Sequence, residues 1–323
     1  LSAVRRLVLA LCLASLTFSA WGAVAQTLHD GLFYVEYPEG EHQTAVVTLE
    51  NLQRIAAAWR HRLDPGEAPI LVRICASQGD FAANAGFWPP AEVGGVAHSE
   101  EGRIVLRTPS QLPNPGLYDG MVRHELIHVL LARNTSLEHL PRWLNEGTAM
   151  HISGEHRWNT SFHVARMYLS GRLYTYDDLM LDFSMVKGER PFGDLYAQSL
   201  SMTAFLYDRL GEETFWSLLY SLRDKDFSGA LGEIAGMSPH EFWTAWYRSL
   251  WKVAVISAVM SGFGIFDFMA LLVIVGYFRR RHHNRKVLAR WELEEAEEPP
   301  MMAAWELEGG SEYPWEMDDE EDP

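Results

Sequence analysis

The chain has 323 residues, 48% of them hydrophobic, and a formal net charge of −16. That length and apolar content exclude a wholly disordered chain and allow one sizeable core. The acidic balance argues against nucleic acid as a partner.

Residues 1–25 open with Arg5 and Arg6, then an apolar run from Leu7 to Ala20, then Ala23-Val24-Ala25. A basic start, a short apolar run and an A-x-A site predict a signal peptide cleaved after Ala25. Cys12 would leave with it, so Cys75 remains as the one cysteine and no intrachain disulfide is possible.

Residues 32–37 read as a strand and residues 44–62 as a helix, with Val47, Leu52, Ile55 and Trp59 on its apolar face. The run 70–75 is a second strand, in which Cys75 is expected as a buried thiol. Residues 93–98 and 103–107 are expected to pair around a turn at Glu100–Gly102.

Residues 118–132 then read as one helix carrying His124-Glu125-Leu126-Ile127-His128. Two histidines four apart project from one helix face and can share a metal ion. Glu125 sits about 100° round the helix from His124, within reach of a metal-bound water. After a short turn, Leu140-Pro141-Arg142-Trp143-Leu144 opens another helix, and Asn145-Glu146-Gly147 follows. A tight turn between these helices can bring Glu146 back to the histidines as a third ligand. Three protein ligands leave one zinc position open, which is the mark of a catalytic site.

From Thr160 onward the pattern is mostly helical, at 160–170, 194–210, 212–223 and 238–251. Ser238 and Glu241 have capping-box spacing at the last of these. Residues 253–278 form an apolar run with one charge, Asp267, and a length of about 39 Å as a helix. Arg279 to Lys286 follow. The run is therefore expected to be a single transmembrane helix (252–278), with the preceding domain outside and the C-terminus in the cytoplasm. Small residues around Gly262 and Gly264 offer a surface for homo-oligomer contact. Residues 279–323 are expected to be a basic, then acidic, disordered tail. Trp291-Glu292-Leu293-Glu294 recurs there as Trp305-Glu306-Leu307-Glu308, either as a docking motif for a cytoplasmic partner or as part of a solubilising tail.

His124–His128 with Glu125, the Trp143-Leu144-Asn145-Glu146-Gly147 segment, and Tyr196-Ala197-Gln198-Ser199 further on together resemble the gluzincin branch of zinc metallopeptidases, in the style of bacterial peptidase MA-like domains. The resemblance covers roughly residues 30–250. It implies an α+β, zincin-like peptidase domain over residues 26–251, with zinc on His124, His128 and Glu146. It implies Glu125 as general base, a peptide or protein as substrate, and Tyr196 as a donor to the oxyanion. One departure is Met150, which stands where thermolysin-like enzymes carry an Asp that orients the first histidine; Asp119 and Glu155 are candidate replacements. Together these features predict a membrane-anchored peptidase acting on the periplasmic or extracellular side. The alternative is a non-catalytic, zinc-stabilised binding or signalling module.

Overall fold

The computed structural model describes residues 26–154, 158–180, 192–261 and 265–297. Contacts divide the chain into two compact units, one ending at Ser257 and one beginning at Ala258. The first unit is a mixed α/β fold whose frame is a five-stranded sheet.

Its strands are β1 (Gln26–Asp30), β2 (Phe33–Tyr37), β3 (Ile70–Cys75), β4 (Gly95–His98) and β5 (Arg103–Arg107), in the order β1-β2-β3-β5-β4. β1–β2 and β4–β5 are antiparallel, whereas β2–β3 and β3–β5 are parallel. The parallel pairs need crossovers. Helix α1 (His42–Trp59) makes the first, and α2 (Gln78–Ala85) lies within the second. Alternation then sorts the side chains by face. Ile70, Val72, Ile74, Ile104 and Leu106 join the main core, while Cys75 and Val105 turn the other way and bury against Phe81 of α2. Cys75 is a buried free thiol.

Helix α3 (Tyr118–Asn134) packs between the sheet and α4 (Arg142–Ser153). Every residue from Glu125 to Leu131 is buried, so α3 is a central helix with no fully solvated face. Asp119 in its first turn and Arg133 in its last both suit the helix dipole. The chain between them closes at the N-cap, Pro141, and α4 ends at Gly154, whose left-handed φ of 79° lets its N–H return to the Met150 carbonyl. Five further helices complete the layer: α5 (Trp158–Leu169), α6 (Tyr176–Met180), α7 (Phe192–Leu210), α8 (Glu212–Ser221) and α9 (Phe227–Ala235). They are followed by α10 (Pro239–Ser261), whose start is the expected capping box: Glu241 accepts from the Ser238 N–H at 2.7 Å, and Ser238 Oγ accepts from the Glu241 N–H at 3.3 Å. Trp143 of α4 is fully buried, stacked on Phe242 and edge-on to Phe227.

The expected fold, a peptidase domain closed by one transmembrane helix, needs correction. No helix among the described residues is long and apolar enough to cross a membrane. The apolar run 253–278 is shared between α10 and α11 (Ile265–Glu297). Of its first residues, Ala254 and Ser257 of α10 are buried in the first unit. Val255, Ile256 and the apolar side chains from Leu271 to Val275 are exposed. The single-pass topology and the periplasmic or extracellular placement lose their premise, and Gly262 and Gly264, proposed for the oligomer contact, lie outside the described residues. Residues 279–297 are helical as part of α11 rather than disordered. The side chain of Asp267, the proposed signal peptide, and the tail from 298 on lie outside the described residues.

Candidate metal centre

Three side chains from two helices meet between α3 and α4. His124 Nε2 and His128 Nε2 are 3.0 Å apart. Glu146 Oε2 is 3.4 Å from the first and 3.3 Å from the second. The side chains are 12%, 8% and 2% exposed, respectively. The i, i+4 spacing on α3 aligns the two rings, and the turn at residues 135–141 folds α4 back so that Glu146, in its second turn, faces them.

These donors fit a metal ion. In a tetrahedral site with metal–ligand bonds of about 2.0–2.1 Å, neighbouring donors lie about 3.3 Å apart. Glu146 Oε2 is buried and makes no hydrogen bond among the described residues. Such an atom is costly unless something positive satisfies it. His128, His124 and Glu146 therefore form a group that can hold a metal ion.

Two residues that the sequence reading passed over set the ligands. Asn145 Oδ1 lies 2.9 Å from His128 Nδ1 in a buried contact. An amide oxygen only accepts, so Nδ1 carries the hydrogen and the neutral ring keeps its Nε2 lone pair toward the centre. Arg142 Nη2 donates to Glu146 Oε1 at 2.6 Å, which leaves Oε2 for the histidine side. Burial alone would raise the Glu146 carboxyl, but the groups packed around it, the Arg142 guanidinium among them, hold it well below the usual carboxylate range. The Arg142–Glu146 pair has i, i+4 spacing and was readable in the sequence. The Asn145 contact joins two helices and carries no such periodic signal.

Glu125 is buried and lines the same cleft, a space of about 650 Å³ between α3, α4 and β4. A Cβ built on Gly95 would lie 2.7 Å from Glu125 Cγ and 2.9 Å from its Oε1, so the strand carries no side chain where the carboxylate sits. Tyr196, on α7, lines the cleft too. Burial pushes its phenol up, and the Glu146 and Glu125 carboxylates add to the shift, so the hydroxyl keeps its proton and can donate. The rest of that segment is structural. Gln198 pairs with both the N–H and the carbonyl of Tyr174, each at 2.9 Å. The Ser199 carbonyl lies 2.5 Å from where a Cβ on Gly147 would be, so α4 and α7 touch backbone to backbone one residue past Glu146.

His151, further along α4, lies against Tyr207 with ring centroids 4.7 Å apart and the ring planes tilted by 42°. Glu155, one of the two candidate partners for the first histidine, lies outside the described residues.

β4 is an outer strand of the sheet, and Gly95, Val96 and Ala97 line the cleft. The Arg107 N–H donates to the Gly94 carbonyl at 2.8 Å, and in the register Gly94 faces Arg107. Opposed residues in an antiparallel ladder alternate between bonded and non-bonded pairs. Val96 therefore bonds toward β5, while the backbone groups of Gly95 and Ala97 point away from it.

No protein-family model matches this sequence, and no curated protein matches it.

Proposed function

We propose that the chain is a zinc-dependent peptidase of gluzincin type, hydrolysing peptide bonds in the cleft between α3, α4 and β4. The observation that carries this reading is the buried convergence of His124, His128 and Glu146 beside a second buried carboxylate, Glu125, that belongs to no part of the ligand set. A purely structural metal site has no use for such a neighbour.

His124, His128 and Glu146 would hold the zinc. When bound, zinc supplies Lewis acidity toward a substrate carbonyl and makes water a stronger acid. Glu125 takes a proton from the attacking water on a carboxylate oxygen and later delivers it to the leaving amine nitrogen. The C–O bond forms, the peptide C–N bond breaks, and the proton ends on the amine. Tyr196 donates its hydroxyl hydrogen to the developing oxyanion. Asn145 and Arg142 keep His128 and Glu146 in their orientations. The outward backbone groups of Gly95 and Ala97 suit an extended peptide, which would add to the sheet edge as one more strand.

The test is zinc content together with cleavage of a mixed peptide library, for wild type beside Glu125→Gln. One zinc in each protein, with cleavage by wild type alone, is the expected result. Zinc in both without cleavage by either would favour a zinc-stabilised binding module. No zinc in either would overturn the reading.

A further inference from the structure

The cleft's outer wall is built from the connection between α2 and β4. This segment is anchored by two hydrogen bonds, from Gln78 Nε2 to the Pro89 carbonyl at 3.2 Å and from Arg107 Nη2 to the Pro90 carbonyl at 3.1 Å, and braced within by one from the Val93 N–H to the same Pro90 carbonyl at 3.1 Å. Gly86, with φ of 80°, ends α2 and turns the chain into it. A segment held this firmly could have buried its aromatic side chains. Instead Phe87 is 53% exposed and Trp88 is 71% exposed. Phe87, Pro90 and Val93 line the same cleft as the Gly95–Ala97 edge.

We infer that Phe87, with Pro90 and Val93, forms a specificity wall that selects a bulky apolar side chain from an extended peptide lying along β4. Two neighbouring exposed aromatics beside a cleft carry more information than isolated surface apolar residues. The outward backbone groups of Gly95 and Ala97 fix the occupant as an extended chain, because only such a chain can pair with them in register. In an extended chain, alternate side chains leave on one face, so one of them is directed at the wall. A charged side chain laid over Phe87 would bury polar atoms against an apolar ring. An apolar one would cover Phe87. This inference rests on the peptidase reading only in placing a peptide in the same cleft.

Binding separates the two. Zinc-loaded full-length Glu125→Gln is titrated with fluorescent peptides identical except at one scanned position, and anisotropy is read. Peptides with Phe, Leu or Trp at one position should bind at least about tenfold tighter than those with Asp, Lys or Gly there. Adding Phe87→Ser should reduce that preference to about threefold or less, and Phe87→Leu should keep it. Unchanged zinc content and circular dichroism would show that these variants still fold. No apolar preference at any position, no binding of any peptide, or a preference intact in Phe87→Ser would each overturn the proposal. Library cleavage by wild type that is lost in Glu125→Gln would still stand as support for the peptidase itself.

Discussion

Gly95 and Glu125 are in direct contact across the sheet–helix interface: a Cβ on the glycine would sit 2.7 Å from the glutamate Cγ and 3.0 Å from its Cδ. The strand thus has no side chain there, and the carboxylate fills the space. Gly95→Ala is expected to displace the Glu125 carboxyl while leaving His124, His128 and Glu146 in place. The variant should keep its zinc and lose about 10²-fold or more in kcat, since a misplacement near 1 Å has that cost. Zinc analysis with peptide hydrolysis checks this, and a variant with wild-type kcat would remove Gly95 from the account.

Asn145 fixes the His128 ring through the 2.9 Å contact at Nδ1. Asn145→Leu should weaken zinc binding about 10–100-fold, as loss of such partners does. Asn145→Asp keeps an acceptor at that position and should restore most of the affinity. Competition against a chelator of known affinity measures both. Equal affinities in all three proteins would show that the ring is held by something else.

Tyr196→Phe removes one hydroxyl from the cleft wall and little volume. The loss of an oxyanion donor should lower kcat about 10²–10³-fold with a small change in KM and no change in zinc content. A variant that turns over normally would return Tyr196 to the role of a packing residue.

Burial pushes the Cys75 thiol up to about 12, with Asp80 adding to the shift. The folded state therefore favours the protonated thiol. This contribution to stability is complete below the unfolded pKa, near 9, and is lost as pH rises toward about 12. Alkylation at pH 8 should be slow in the native protein and fast in urea. Rapid labelling without denaturant would show that the face of the sheet covered by α2 opens readily.

The candidate metal ligands on α3 were legible because helix geometry converts a spacing of four into a shared face. Glu146 was legible because few residues separate the two helices. The strands at β3 and β5 showed in runs of apolar residues, and the Ser238–Glu241 capping box showed in its three-residue step. Each of these signals is local, a matter of backbone period or chain reach. What failed was also local in origin. The run 253–278 has the composition of a membrane helix, but hydropathy measures only the preference to leave water. It does not say where the helices begin and end, and the run is divided between α10 and α11, with Ala254 and Ser257 buried in the first unit. Strand β1 and the short helices α2, α6 and α9 left too weak a period to find.

The sequence by itself determined which groups can bind a metal and move a proton, because those properties belong to imidazole and carboxylate at helical spacing. The tertiary structure alone decided what surrounds them. Asn145 at the His128 ring, Gly95 at Glu125, Gly147 at the Ser199 carbonyl and Phe87 at the mouth of the cleft are relations between elements. No period along the chain encodes such contacts; they exist only once the sheet, α3, α4 and α7 have packed together.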